Sequence, residues 1–359
     1  MTLRIIAVVG VLIVLGCGSS EETQQVTAEE STRLALAVEN SVESAIVPAV
    51  SSFVAEVEST LGRADACCDE LTSGSLTSLG NQWRTMTETW NRMALYGLGP
   101  LNQDLIFPPI NFIESMRERG TDYTGTVREA VDDALASDAT LDAEFFDGLL
   151  FTEVGLLALE VLIFATAEDD RVDADAVLAE YIAQPRKCDY LIGIADDLVR
   201  TAREVEQGWR TDYLESGRPF SELLIAGELD DGSEPMPALI VSAFDHLEYI
   251  KRRKLEGILD AQLSGNFYPH LVAVLDELER LLSVPEAAGG YGILAHMQSR
   301  GFEAAAAQVL EAIGEARSFA GEESRDELTA SWGEIEGYLK REIPNGLNVE
   351  LGLNFSDGD

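Results

Sequence analysis

The chain has 359 residues, enough for two domains or one large one, and its apolar content of 46% suits a globular core of ordinary size. Its 64 acidic residues outnumber the 25 basic ones, leaving a formal net charge of −39. Such a surface repels phosphate backbones and excludes nucleic acid as a partner, while its field favours solubility and draws cations and basic partners.

The first residues read MTLRIIAVVGVLIVLGC. Arg4 is a short basic n-region, and Ile5 to Leu15 form an apolar h-region too short for a comfortable membrane span. The closing VLGC resembles a bacterial lipobox, which implies cleavage before Cys17 and a lipid on its thiol. Acyl chains contribute roughly 0.8 kcal/mol per buried CH₂, so several on one cysteine hold a protein at a membrane. Residues 1–16 are therefore expected to be a lipoprotein signal peptide. Residues 17–27, rich in Ser, Glu, Thr and Gln, are expected to be a polar tether. The location this implies is periplasmic and lipid-anchored. Gly18 is not the Asp associated with inner-membrane retention in enteric bacteria, which favours the outer membrane.

Helical periodicity begins near Ala28, with Leu34, Val38, Val42 and Ala45 at spacings of three and four, and Pro48 is expected to break or kink it. A second stripe, Val50, Phe53, Val54, Val57 and Leu61, runs to about Gly62. Residues 74–93 carry Trp83 and Trp90 seven apart, hence on one helical face, as core residues or as a ligand-stacking wall. Gly97, Gly99 and Pro100 end that helix. Phe145 to Ala165 reads as one helix that is apolar nearly all round, and so buried, with Glu153 and Glu160 inside it. Desolvating a carboxylate is costly, so each needs a partner or a polar cleft.

Glu168 to Asp175 is expected to be a solvated acidic loop, and Cys188 to Tyr213 a long amphipathic helix. The helix from Ala238 to Leu255 ends in the basic run KRRK, and segments 267–282, 292–301, 302–320 and 328–343 read as further helices. Alternation of the strand type is scarce, with LNVELGLNF at the tail as the one exception. The expected class is all-α, as two packed helical bundles with little or no β structure. Residues 28–216 form the first bundle, 217–237 a connecting segment, and 238–359 the second bundle with a C-terminal tail.

Beyond Cys17 the cysteines are Cys67, Cys68 and Cys188. In an oxidising compartment they point to a disulfide of Cys188 with Cys67 or Cys68, linking distant helices, rather than to a metal site. The histidines His246, His270 and His296 are dispersed, and neither HExxH nor GxGxxG occurs.

Several segments in order resemble the imelysin-like family of bacterial periplasmic proteins and lipoproteins, also catalogued as M75 peptidases. They are IVPAVSSFVAEVESTL with the cysteines after it, QWRTMTETWNRMALYGLGP, VGLLALEVLIF, CDYLIGIADDLVRTAREVEQGW, HLEYIKRRKLEGIL and LNVELGLNFSDGD, and they cover most of residues 40 to 359. The resemblance implies two related bundles with a GxHxxE motif near their interface. Here the motif reads GLLALE, with Gly155 and Glu160 in place and Leu157 where the family has His.

A His and a Glu at i and i+3 can share a metal ion, whereas leucine binds none. Glu160 is therefore the one metal ligand the motif retains, and peptidase activity is not expected. Glu153 would share its face, but seven residues at ~1.5 Å each put it about 10.5 Å away along the axis, too far to share one ion easily. Arg92 is the expected partner of Glu160. Lys251, Arg252, Arg253 and Lys254 are alternatives, although such a run is usually a solvated face. The expected ligand site thus comprises Gly155, Leu157, Glu160, Glu153, Trp83, Trp90 and Arg92. No cofactor follows from the residues themselves; a divalent metal or iron is what the family implies. The expected function is a lipid-anchored binding or interaction module linked to iron or nutrient uptake, with the membrane and envelope or iron-uptake proteins as partners. A metallopeptidase and a ligand-free structural envelope protein are the alternatives.

Overall fold

A long helical rod opens the structure, a computed structural model that describes residues 19–104, 106–115, 121–258, 260–285 and 289–351, with side chains from Ala28 onward. The expected signal peptide, Cys17 and the end of the tail from residue 352 lie outside these residues. The rod consists of α1 (Ser19–Ser41), a π-helical turn (Val42–Ile46) and α2 (Val47–Asp69). The segment expected to be a tether is helical from Ser19, and Gly62 does not end α2. Pro48 does not break the rod either. It lacks an N–H and crowds the carbonyl one turn back, and the wider turn before it absorbs this, with the Val47 N–H reaching back to the Val42 carbonyl. Ala28–Asp69 is long and apolar enough to cross a membrane, but α2 packs its apolar face against α3 and α9.

Next comes α3 (Ser73–Met93), started by a reciprocal cap: Thr72 Oγ1 accepts from the Ser75 N–H at 3.0 Å, and Ser75 Oγ accepts from the Thr72 N–H at 3.1 Å. Short helices α4 (Pro109–Ile113), α5 (Thr124–Ala136) and α6 (Ala143–Asp147) lead to α7 (Gly155–Phe164). The single helix expected from Phe145 to Ala165 is therefore two helices with a turn between them. Glu153 holds that turn by accepting the Leu150 N–H at 2.7 Å. Gly155 opens α7 at φ +75°, where an added Cβ would lie 2.3 Å from the Phe112 carbonyl oxygen, so only glycine fits.

After α7 come α8 (Ala174–Ala183), α9 (Arg186–Arg210), α10 (Phe220–Ala226), α11 (Pro235–Tyr249), α12 (Phe267–Leu282), α13 (Ile293–Ser299), α14 (Glu303–Gly321), α15 (Arg325–Gly337) and α16 (Ile343–Leu347). The acidic stretch expected to be a loop ends by capping α8, where Asp173 accepts the Ala176 N–H at 2.9 Å. Among the described residues there is no strand, and the fold is all-α.

In the first half α2 lies against α3 and α9, with α7 gripped by α3, α5, α8 and α9; in the second half α14 packs on α12 and α15. The halves meet where α3 runs along α12, and one apolar core passes through both. Although sequence order places it with the first bundle, α1 packs on α11 and α13, so the opening rod spans both halves. A disulfide joins Cys68 near the end of α2 to Cys188 at the start of α9, with a Cα–Cα distance of 5.7 Å. Cys67 is a buried free thiol.

Candidate functional site

Where α3, α7 and α12 converge they enclose a cavity of about 40 Å³. Trp83, Thr87, Trp90 and Asn91 lie along the inward face of α3, since Thr87 comes four residues after Trp83 and the other two come three and four after Thr87. The opposite wall is Leu156, Leu157 and Glu160 of α7. Glu114 and Ser115 after α4, Asp260 and Ala261 before α12, and His270 of α12 complete the lining.

Glu160 is 3% exposed, and its Oε1 accepts the Ser264 N–H at 2.9 Å. Burial raises its carboxyl to about 7; the Asp260 charge adds to the rise, and hydrogen bonds from Ser264 and Leu263 oppose it. Its proton therefore exchanges near neutral pH. Arg92, the expected partner, instead pairs with Asp276 at 3.2 Å. It lies near the end of α3, two turns past Arg84, which donates to the Ser264 carbonyl at 3.0 Å and so holds the loop that caps Glu160. Glu153 does not join the site because the turn before α7 takes it off the helix that carries Glu160. Both tryptophans are at once core and wall. The Trp83 indole N–H donates to the Leu156 carbonyl at 3.2 Å, and that of Trp90 donates to Glu114 Oε2 at 2.8 Å.

The strongest charges were not singled out from the sequence as a group. Lys254 is 1% exposed, and its Nζ lies 2.6 Å from Glu114 Oε1 and 2.6 Å from Asp260 Oδ2. It also sits 5.1 Å from the centre of the Tyr249 ring, whose hydroxyl donates to Glu114 Oε1 at 2.8 Å. The KRRK run is therefore only partly a solvated face. Arg252 pairs with Glu248 on the surface, while a π-helical turn over Ile250–Leu255 carries Lys254 inward. Burial works against the ammonium, but Asp260 and Glu114 outweigh it and hold its pKa above the usual value. Burial likewise works against the Asp260 carboxylate, and Lys254 and His270 overcome it, holding the group far below the ordinary range.

His270 is 3% exposed, with Nε2 2.8 Å from Thr87 Oγ1. Thr87 Oγ1 also lies 2.9 Å from the Arg84 carbonyl and 3.1 Å from the Trp83 carbonyl, so the hydroxyl ties the imidazole to the backbone of α3. Nδ1 is 3.9 Å from Asp260 Oδ2, beyond hydrogen-bond reach. Four buried atoms of lining residues have no protein hydrogen-bond partner: His270 Nδ1, Asp260 Oδ1, Asn91 Oδ1 and Ser115 Oγ. The Asn91 amide is fixed by its Nδ2 donating to the Thr87 carbonyl at 2.8 Å, so the free atom is its oxygen. Each such orphan costs about 1–3 kcal/mol if it stays unpaired. Asp260 Oδ1 and Asn91 Oδ1 are acceptors, which suits an occupant that presents hydrogens.

The sequence model of imelysin, peptidase M75, matches residues 46–267. The chain belongs to the imelysin family. This imelysin is similar in structure to an imelysin-like protein from Psychrobacter arcticum 273-4, at 16% identity and a TM-score of 0.70, over 90% of this chain and 98% of that one. It is also similar to a protein from Parabacteroides distasonis ATCC 8503 described as an iron-regulated protein A precursor. There the identity is 13% and the TM-score 0.58, over 88% of this chain and 95% of that one. At these identities the likeness is one of fold. No curated protein matches the chain.

The metal that the family name implies does not fit these residues. Leu157 lines the cavity and offers no ligand atom. Glu160 already accepts a peptide N–H, and Glu114 and Asp260 hold Lys254 between them. Among the described residues no three His, Cys, Asp or Glu side chains form a group that could hold a metal ion.

Proposed function

We propose that this imelysin is a lipid-anchored, non-proteolytic binding module of the bacterial envelope. Its ligand in the Glu160 cavity is a small cation that presents hydrogen-bond donors, of the ammonium type or a metal ion held through its own waters. The observation that carries this reading is the set of orphaned polar atoms, the acceptors Asp260 Oδ1 and Asn91 Oδ1 among them, around about 40 Å³ of space. One water needs about 10–15 Å³ of such space, so the cavity suits an occupant the size of a few waters and not a peptide. Metallopeptidase chemistry needs a metal-activated water, and among the described residues no group of ligands for that metal comes together. Cys17 in its lipobox-like context supports the anchor. The iron-regulated description of one structural relative supports a role in iron or other nutrient uptake, alongside envelope partner proteins.

Calorimetric titration of the mature protein with ammonium, methylammonium and, under anaerobic conditions, Fe²⁺ tests the ligand class. Binding of at least one of them that is lost in Asn91→Ala is the expected result. No heat with any, or heat unchanged in that variant, refutes the ligand class. Casein and peptide assays with Zn²⁺, Mn²⁺ or Fe²⁺ added are expected to show no cleavage. Labelled palmitate is expected to enter the wild-type chain and not Cys17→Ser.

A further inference from the structure

We infer that the ammonium of Lys254 is the resident cation of this centre, standing where a divalent metal ion would otherwise bridge Glu114 and Asp260. One oxygen of each carboxylate lies 2.6 Å from Nζ, and the lysine is 1% exposed. The other Glu114 oxygen is held by the Trp90 indole N–H at 2.8 Å, so this carboxylate is fixed in position whether or not the lysine is there. Asp260 Oδ1 and His270 Nδ1, both buried and without protein partners, flank the same position from the cavity side.

Two carboxylates with water completing the shell form a donor set for a hard divalent ion such as Mn²⁺. A buried carboxylate pair requires a cation, and the chain supplies one covalently tethered to the turn after α11. The centre therefore has its positive charge without taking up metal. This inference concerns the wall behind the cavity and stands or falls separately from the cavity ligand proposed above.

Lys254→Ala removes the charge and opens the space between the two carboxylates that Nζ fills. The expected result is that this variant binds one Mn²⁺ per chain at least about tenfold more tightly than the wild type, read by loss of the free-ion paramagnetic resonance signal. Its melting temperature is expected to rise with added Mn²⁺ while that of the wild type does not. The gain should vanish in the triple variant Lys254→Ala, Glu114→Gln, Asp260→Asn, and should persist when Asn91→Ala is added to Lys254→Ala. A Lys254→Ala chain that folds only with Mn²⁺ supports the inference. One that folds and binds Mn²⁺ no better than the wild type overturns it, as does one that stays unfolded with and without the ion.

Discussion

At the scale of single residues, Glu160 makes the stability of the protein depend on pH. Its folded-state value near 7 lies above the ordinary 4.5, so between these values the native state binds more protons than the unfolded chain. Its contribution is complete below the unfolded value and is lost as pH rises through the folded one, on the order of 3 kcal/mol in all. Urea midpoints are expected to fall between about pH 5 and pH 8 in the wild type, and Glu160→Gln should flatten that fall. Trp90 gives a second test. Trp90→Phe keeps most of the packing but removes the indole N–H that Glu114 Oε2 accepts. A loss of about 1–3 kcal/mol in denaturant titrations, with the helical circular dichroism unchanged, is the expected outcome. Neither role was fully legible in the sequence. A lone glutamate in an apolar run announces that it needs a partner, but a peptide N–H from residue 264 leaves no mark near residue 160.

At the scale of elements, legibility followed periodicity. The helices α3 and α12 have one apolar face each, and their extents were read to within a residue. The run from Phe145 to Ala165 is apolar all round, so periodicity could not locate the turn inside it; Gly148 and Gly155 were the only local signals. Gly155→Ala tests how closely α7 depends on that turn. The substitution forces a side chain into φ +75°, with its Cβ 2.3 Å from the Phe112 carbonyl and 2.5 Å from that of Ile113. It is expected to cost about 3 kcal/mol or more and to lower the thermal midpoint by several degrees, as α7 moves off α4. Pro48 illustrates the opposite case. The sequence marks the defect correctly, but whether a helix breaks or bulges depends on the neighbours packed around it.

For the whole molecule, the Cys68–Cys188 disulfide closes a loop with a sequence separation of 120 residues. Loop entropy for that length gives about 4–5 kcal/mol of stabilisation. Reduction or Cys68→Ser should therefore lower the melting temperature, and Cys67→Ala should leave its response to reductant unchanged. The sequence by itself determined the all-α class, most helix positions and the family, because these rest on local periodicity and on ordered segments. Only the tertiary structure decided the centre. Glu114, Lys254, Asp260 and His270 come from separate stretches of chain, and three of them sit in locally unremarkable polar surroundings. Lys254 in particular belongs to a basic run that ordinarily faces water. Its burial follows from a π-helical turn and from two carboxylates that reach it across the fold, and pairings of that kind are set by packing rather than by neighbours in sequence.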